Sequence, residues 1–105
     1  MLTLTGDTDG TTLTITANGD IDLSNNRRLA ATVAEHESAD LTTIVLDLAG
    51  VDFCDSAGLA AMVRLYRASA LAHRTLVIRA PSENLTRLLE ITGLDRVFTI
   101  EPAPA

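Results

Sequence analysis

Hydrophobic and polar residues alternate in two short runs at the start of the chain. Leu2–Thr5 and Leu13–Ala17 each place apolar side chains at every second position, which is typical of half-buried strands. The segment Gly6–Gly10 between them is rich in Gly and Asp, residues that tight turns favour. The pattern therefore predicts a β-hairpin at the start of the fold.

Helical and strand patterns then alternate through the rest of the chain. Leu29, Val33 and His36 recur at the spacing of one helix face, and Ser24 is placed to cap that helix. The later predicted elements are a strand at Thr43–Leu48, a helix from Ser56 to about Ala72, a strand at Leu76–Ile78, a helix between Ser82 and Gly93, and a strand at Val97–Ile100. This order predicts an α/β fold whose mixed sheet has about five strands, a hairpin followed by parallel strands. If each successive strand joins the sheet beside the preceding one, right-handed crossovers place the helices mainly on one face.

The helix predicted from Ser56 carries apolar residues on two sides. Its core stripe is predicted to consist of Leu59, Met62, Val63, Tyr66 and Ala70. The opposite side, which we expect to face outward, carries Ala57, Ala61, Arg64, Leu65 and Ala68. An outward face is normally charged, and this one has a single charge. Two interpretations stay open, an alanine-rich solvated helix or a shallow apolar groove that binds a partner.

The length and composition favour one folded domain. A chain of 105 residues with 47% hydrophobic residues is long enough for a single core, and we expect one domain over residues 1–105 with a frayed tail at 101–105. Aromatic residues make up only 3% of the chain, so the core is expected to consist of Leu, Ile, Val and Ala. Aromatic platforms for single-stranded nucleic acid are not expected.

Charge and targeting signals narrow the class of partner. The net charge is −6, and the basic residues form no run, which argues against nucleic acid or anionic lipid as the main partner. The first residues lack the pattern of a secretory signal, and every apolar stretch falls short of the roughly 20 residues that span a bilayer. Cys54 is the only cysteine, which fits a reducing compartment. We therefore expect a cytoplasmic protein without a membrane partner.

The candidate chemistry lies where a buried strand leads through a loop to Asp55 and Ser56. These residues stand at a predicted helix N-terminus, where free N–H groups and the helix dipole favour an anion. A phosphate on Ser56 would bring about −1.5 to −2 charges to this point, and Gly58 would leave room for a partner. The plainer alternative is that Asp55 or Ser56 only caps the helix and that Gly58 is a packing glycine.

The sequence offers little for catalysis. Cys54 lies between Asp52 and Asp55, whose charges would raise the pKa of a thiol, so it is read as a structural thiol. His36 and His73 lack ligand spacing with Cys54, and no metal site is expected. The chain also has no Gly-x-Ser-x-Gly element and no Gly-rich phosphate loop. We expect a binding protein that needs no cofactor, and not an enzyme.

Three segments together resemble the STAS family, the domain shared by sulfate transporters and bacterial anti-sigma factor antagonists. Asp55-Ser56-Ala57-Gly58-Leu59 matches the Asp-Ser-x-Gly-Leu loop of the antagonists. Gly19-Asp20-Ile21-Asp22 is similar to the family's Gly-acidic-apolar-Asp after the second strand, and Leu89–Leu94 resembles the end of its third helix. The three segments occur in the family's order over nearly the whole chain. Ala57 departs from antagonists that carry a second hydroxyl residue after the motif serine.

The resemblance implies a partner-switching cycle. An anti-sigma factor with serine-kinase activity would phosphorylate Ser56, a serine phosphatase would remove the phosphate, and only the unphosphorylated form would bind the anti-sigma factor and free a sigma factor. Asp55 would be the neighbour of the phosphoacceptor, and Asp20 and Asp22 would lie near the partner surface. The predicted partner-binding residues are Asp20, Asp22, Asp55, Ser56, Ala57, Gly58, Ala61, Arg64 and Leu65.

Two other functions stay open at this point. The chain could be a constitutive STAS scaffold, or a soluble subunit of a signalling or transporter assembly, in which Ser56 is only a cap. It could also be a small enzyme or a nucleotide-binding protein, although the absence of a Gly-rich loop and of a paired base disfavours that function. In vitro phosphorylation separates the first alternative from the switch, and a binding screen with ATP and GTP tests the second.

Overall fold

The computed structural model describes residues 1–103 and contains the predicted order of strands and helices. The elements are β1 (Thr3–Asp9), β2 (Thr12–Asn18), α1 (Arg28–Glu35), β3 (Thr43–Gly50), α2 (Ser56–Leu71), β4 (Thr75–Arg79), α3 (Glu83–Thr92), a 3₁₀ turn (Leu94–Arg96) and β5 (Thr99–Glu101). Two predicted helix ends are confirmed. Ser82 caps α3 by accepting a hydrogen bond from the Leu85 N–H, and Gly93 ends it in a left-handed conformation with φ of 76°.

The five strands form one mixed sheet in the order β1-β2-β3-β4-β5. β1 pairs antiparallel with β2, and every later pairing is parallel. Because each crossover adds its strand in the same direction, right-handed connections place all three helices on one face. The predicted fold class, a hairpin followed by parallel strands, is therefore confirmed.

The core fills the space between the sheet and the helices. Alternate positions of the central strands are buried on that side, as in Ile15 of β2, Leu46 of β3 and Ile78 of β4, each with no exposed area. Met62 of α2 and Leu89 of α3 meet them from the helix side and are also fully buried. Since consecutive side chains of a strand point to opposite faces, the intervening positions form a helix-free face rich in threonine.

The hairpin turn is tighter than the sequence pattern indicated. The predicted turn at Gly6–Gly10 is wrong, because β1 continues to Asp9 and the connection is Gly10-Thr11. Gly10 has a φ of 62°, the left-handed conformation that such short connections need. The polar residues of this segment are tolerated in a strand because β1 lies at the edge of the sheet, where they face solvent.

The first helix begins three residues later than predicted, because its N-cap is Arg27 instead of Ser24. α1 starts at Arg28, and the Ser24 side chain donates instead to Asp22 Oδ1 at 2.6 Å. The same carboxylate oxygen accepts the Ser24 N–H, so the segment forms a local turn that competes with helix formation. The predicted capping role of Ser24 is therefore wrong.

One side of α2 is more buried than predicted. Ala61 and Leu65, which we expected to face outward, are each only 6% exposed, because α1 packs against this side of α2. Arg64 and Ala68 are exposed as predicted, and Ala57 is half-buried. The predicted outward face is thus wrong for Ala61 and Leu65, and neither side chain is available as a large contact surface.

The end of the sheet extends into the predicted tail. β5 runs over Thr99–Glu101 instead of Val97–Ile100, and Phe98 is buried just before it. Glu101 belongs to the strand and pairs with Arg79 at 2.8 Å, so the frayed tail does not begin there. Residues 104–105 of that predicted tail lie outside the described residues.

Candidate functional site

Two loops are joined at the carboxyl edge of the sheet. The loop after β2 and the loop after β3 meet where Ile21 and Cys54 form a parallel bridge. The Ile21 N–H donates to the Phe53 carbonyl at 3.1 Å, and the Asp55 N–H donates to the Ile21 carbonyl at 3.2 Å. These hydrogen bonds bring the loop that contains Asp20 and Asp22 beside the start of α2.

Asp55 is the N-cap of α2, which decides between the two capping candidates. Its Oδ1 accepts the Gly58 N–H at 2.8 Å. Its Oδ2 accepts the Leu23 N–H at 3.1 Å, so the same carboxylate also holds the neighbouring loop. Ser56 is therefore not the cap.

Ser56 is the first residue of α2, and its side chain is exposed. Within residues 1–103 its hydroxyl has no hydrogen-bond partner, whereas the hydroxyls of Ser24 and Ser82 are both engaged. The helix N-terminus beneath it favours negative charge. The hydroxyl can thus accept a substituent without breaking a contact of the fold.

The two acidic residues of the neighbouring loop differ in their surroundings. Asp20 is exposed, and Asp22 is half-buried. The Ser24 hydroxyl, followed by the backbone N–H groups of Ser24 and Asn25, lowers the pKa of the Asp22 carboxyl below its ordinary value. Asp22 is consequently ionised at neutral pH and fixes the shape of the turn beside Asp55.

Gly58 packs against the protein itself and does not leave room for a partner. A Cβ at this position would lie 2.5 Å from Cys54 Sγ and 2.8 Å from the Ile21 carbonyl oxygen. The residue is buried beneath the joined loops. The expectation that Gly58 opens space for a partner is wrong, and its open alternative, a packing glycine, describes the structure.

A family model described as the STAS domain matches residues 4–105.

The chain belongs to the STAS domain family.

Solved structures share the fold of this STAS domain at low sequence identity. An anti-sigma factor antagonist from Mycobacterium paratuberculosis superposes with a TM-score of 0.79 at 23% identity, over 97% of this chain and 86% of that one. The unphosphorylated form of the anti-sigma factor antagonist SpoIIAA has a TM-score of 0.66 at 18% identity, over 90% and 97% of the two chains. The phosphorylated form of Bacillus SpoIIAA has a TM-score of 0.65 at 16% identity, over 93% and 90%.

An apolar cavity beside Ser56 was not predicted from the sequence. It has a volume of about 600 Å³ and lies between the loop before α2 and the helix α3 of the STAS domain, with Ser56 in its lining. Phe53 and Ile91, which also line it, are 57% and 75% exposed, and Leu23 in the neighbouring loop is 79% exposed. Two weak signals in the sequence could have indicated the cavity. Phe53 stands between the aspartates Asp52 and Asp55, and Ile91 lies off the side of α3 that buries Leu85 and Leu89.

Cys54, the remaining candidate for chemistry, is a buried side chain of the core. Burial, and secondarily the charge of Asp55, raises the pKa of the Cys54 thiol to about 12. The thiol therefore stays protonated at neutral pH and is a poor nucleophile.

Within residues 1–103 no group of three or more His, Cys, Asp or Glu side chains is placed to hold a metal ion. No helix in this part of the chain has the length and apolar character to span a bilayer.

Asp55→Ala is expected to lower the free energy of unfolding by about 1–2 kcal/mol, because it removes the cap of α2. Loss of the second hydrogen bond also releases Leu23 from the start of α2. Urea denaturation measures the effect, and Ser56→Ala is the matched control, since an exposed residue that caps nothing should change stability by no more than about 0.5 kcal/mol. A larger loss for Ser56→Ala than for Asp55→Ala would contradict the assignment of the cap.

Proposed function

We propose that this STAS domain is an anti-sigma factor antagonist that is switched by phosphorylation of Ser56. In this proposal the unphosphorylated chain binds an anti-sigma factor with serine-kinase activity and thereby frees a sigma factor for transcription. The anti-sigma factor phosphorylates Ser56, and a serine phosphatase reverses the modification. The chain itself acts as a binding protein and not as an enzyme.

The observation that carries the proposal is the exposed hydroxyl of Ser56, which has no hydrogen-bond partner within residues 1–103 and lies at the N-terminus of a helix that Asp55 already caps. A serine whose only role was to cap the helix would use its hydroxyl for that purpose, and here Asp55 caps the helix instead, which favours the switch over the constitutive scaffold. Ser56 lines the apolar cavity together with the exposed side chains of Phe53 and Ile91, and the exposed Leu23 lies in the loop that Asp55 holds beside the start of α2. Exposed apolar side chains around a polar centre are typical of protein-binding surfaces.

A structural relative, SpoIIAA, occurs in an unphosphorylated and a phosphorylated form. The unphosphorylated and phosphorylated forms of SpoIIAA superpose on this chain with TM-scores of 0.66 and 0.65. A fold that resembles both forms equally well is compatible with phosphorylation that leaves the backbone in place. Residues Asp20, Asp22, Asp55, Ala57 and Arg64 stay proposed as partner contacts around Ser56.

Phosphorylation of Ser56 alone is the expected result when the chain is incubated with ATP and, one at a time, the purified anti-sigma factor kinases of the source organism. Mass spectrometry of the digested chain locates the phosphate, and Ser56→Ala is the control that should remain unlabelled. Ser24 and Ser82 are internal comparators, because their hydroxyls are held by hydrogen bonds. Labelling of either residue to the same extent as Ser56 would contradict the proposed site.

A further inference from the structure

A second concave surface lies on the other side of the start of α2. It has a volume of about 850 Å³ and lies between the beginning of α1 and α2. We call it the basic pocket, and it is lined by Leu23, Ser24, Asn25, Asn26, Arg27, Arg28, Ala57, Ala60 and Arg64. Three of its side chains are arginines, in a chain whose net charge is −6.

The arginines of the basic pocket have no acidic partner within the described part of the chain. The ion pairs of residues 1–103 involve three other arginines, at positions 74, 79 and 87. Arg64 donates to the Asn26 side-chain oxygen at 3.1 Å, and Arg28 donates to the Leu2 carbonyl, which are neutral acceptors. Within residues 1–103, none of the three arginines that line the pocket therefore forms an ion pair.

The placement of Arg27 and Arg28 adds to this charge. They occupy the N-cap and the first position of α1, and the first turn of this helix has no acidic residue. A helix N-terminus carries partial positive charge and favours anions, so two cations at this end are electrostatically unfavourable in the free protein. A bound anionic group would relieve the repulsion and would also meet the guanidinium of Arg64.

We propose that the basic pocket receives an acidic segment of a protein partner, which under the proposed function is the anti-sigma factor. Ala57 and Ala60 of the pocket follow Ser56 along α2, so the pocket is continuous with the proposed binding surface. Carboxylates match guanidinium groups in geometry as well as in charge. With an apolar cavity on one side of Ser56 and a basic pocket on the other, the partner can bind in only one orientation.

Titration of the full chain with hexaglutamate, followed by backbone amide spectra, tests the pocket without any knowledge of the partner. We expect saturable shifts confined to residues 23–28 and 57–64, and about threefold weaker binding for Arg27→Gln and Arg64→Gln. Arg96→Gln is the matched control, since Arg96 is exposed in the 3₁₀ turn and does not line the pocket. Absence of saturable binding, an equal effect of Arg96→Gln, or inorganic phosphate that binds as tightly as hexaglutamate would overturn the proposal.

Binding to the purified anti-sigma factor separates this inference from the proposed function. We expect Arg64→Glu to weaken the complex about tenfold and to reduce the salt dependence of the association rate. If the wild-type chain binds and Arg64→Glu binds equally well, the pocket assignment is wrong and the proposed function stands. If the wild-type chain binds no anti-sigma factor but binds hexaglutamate at the pocket, the proposed function is wrong and the acidic-segment assignment stands.

Discussion

Phosphorylation of Ser56 is expected to weaken binding to the anti-sigma factor at least about 100-fold while the chain stays folded. The helix N-terminus tolerates the added charge, so the fold has no reason to change. Asp55 and the exposed Asp52 already place negative charge beside the hydroxyl, on the surface that carries the apolar cavity. A further charge of about −1.5 to −2 would have to be desolvated in the complex, which costs several kcal/mol.

Titration of the phosphorylated and free chains against the anti-sigma factor measures this effect, and Ser56→Asp should reproduce part of it with one charge. Thr11→Asp is the matched control, because it adds the same charge at the exposed hairpin turn, at the opposite end of β2. Backbone amide spectra of the two forms should differ only near the start of α2. Widespread changes far from α2 would mean that phosphate acts through a conformational change, and equal weakening by Thr11→Asp would mean that only net charge matters.

Gly58→Ala is expected to lower the free energy of unfolding by about 1–3 kcal/mol. In an ordinary helix position the same substitution is favourable by up to about 1 kcal/mol, so even the sign of the change is informative. The new methyl group would lie 2.5 Å from Cys54 Sγ and 2.8 Å from the Ile21 carbonyl oxygen. The carbonyl belongs to the hydrogen bond that joins the two loops, and its displacement would loosen the start of α2.

Urea denaturation of Gly58→Ala, alone and combined with Cys54→Ala, identifies the cause. Removal of the sulfur should recover part of the lost stability and leave the contact with the Ile21 carbonyl unrelieved. Ala60→Gly gives a reference for helix propensity at an exposed position of the same helix, with an expected cost of about 1 kcal/mol. If Gly58→Ala proves stabilising, the glycine is not required for packing and space for a partner would again explain it.

The order of elements was predictable because each one is encoded locally. Alternation marks Leu13–Ala17, the β-branched run marks β3, and Ser82 and Gly93 mark both ends of α3. Because consecutive strands are neighbours in the sheet, right-handed crossovers then place all the helices on the same face. The location of Ser56 at an exposed helix start followed from the same local signals together with the family motif.

Most of the predictions that proved wrong concern features that depend on contacts between segments distant in sequence. Periodicity along α2 cannot reveal that α1 covers Ala61 and Leu65, because that contact depends on how two helices pack. Ser24 has the chemistry of a cap, yet Asp22 engages its hydroxyl in a turn. The role of Gly58 depends on a bridge between two loops that are distant in sequence. The apolar cavity, likewise, requires the spatial approach of α3 to the loop before α2.

The double role of Asp55 bears on the thermodynamics of association. Because one carboxylate holds both the Leu23 N–H and the Gly58 N–H, the two loops around Ser56 are already ordered before a partner arrives. Their conformational entropy is lost when the chain folds, so a partner that binds there need not supply it again. The heat capacity change of binding should then reflect the apolar area that is covered, mainly at Leu23, Phe53 and Ile91, with little contribution from coupled folding.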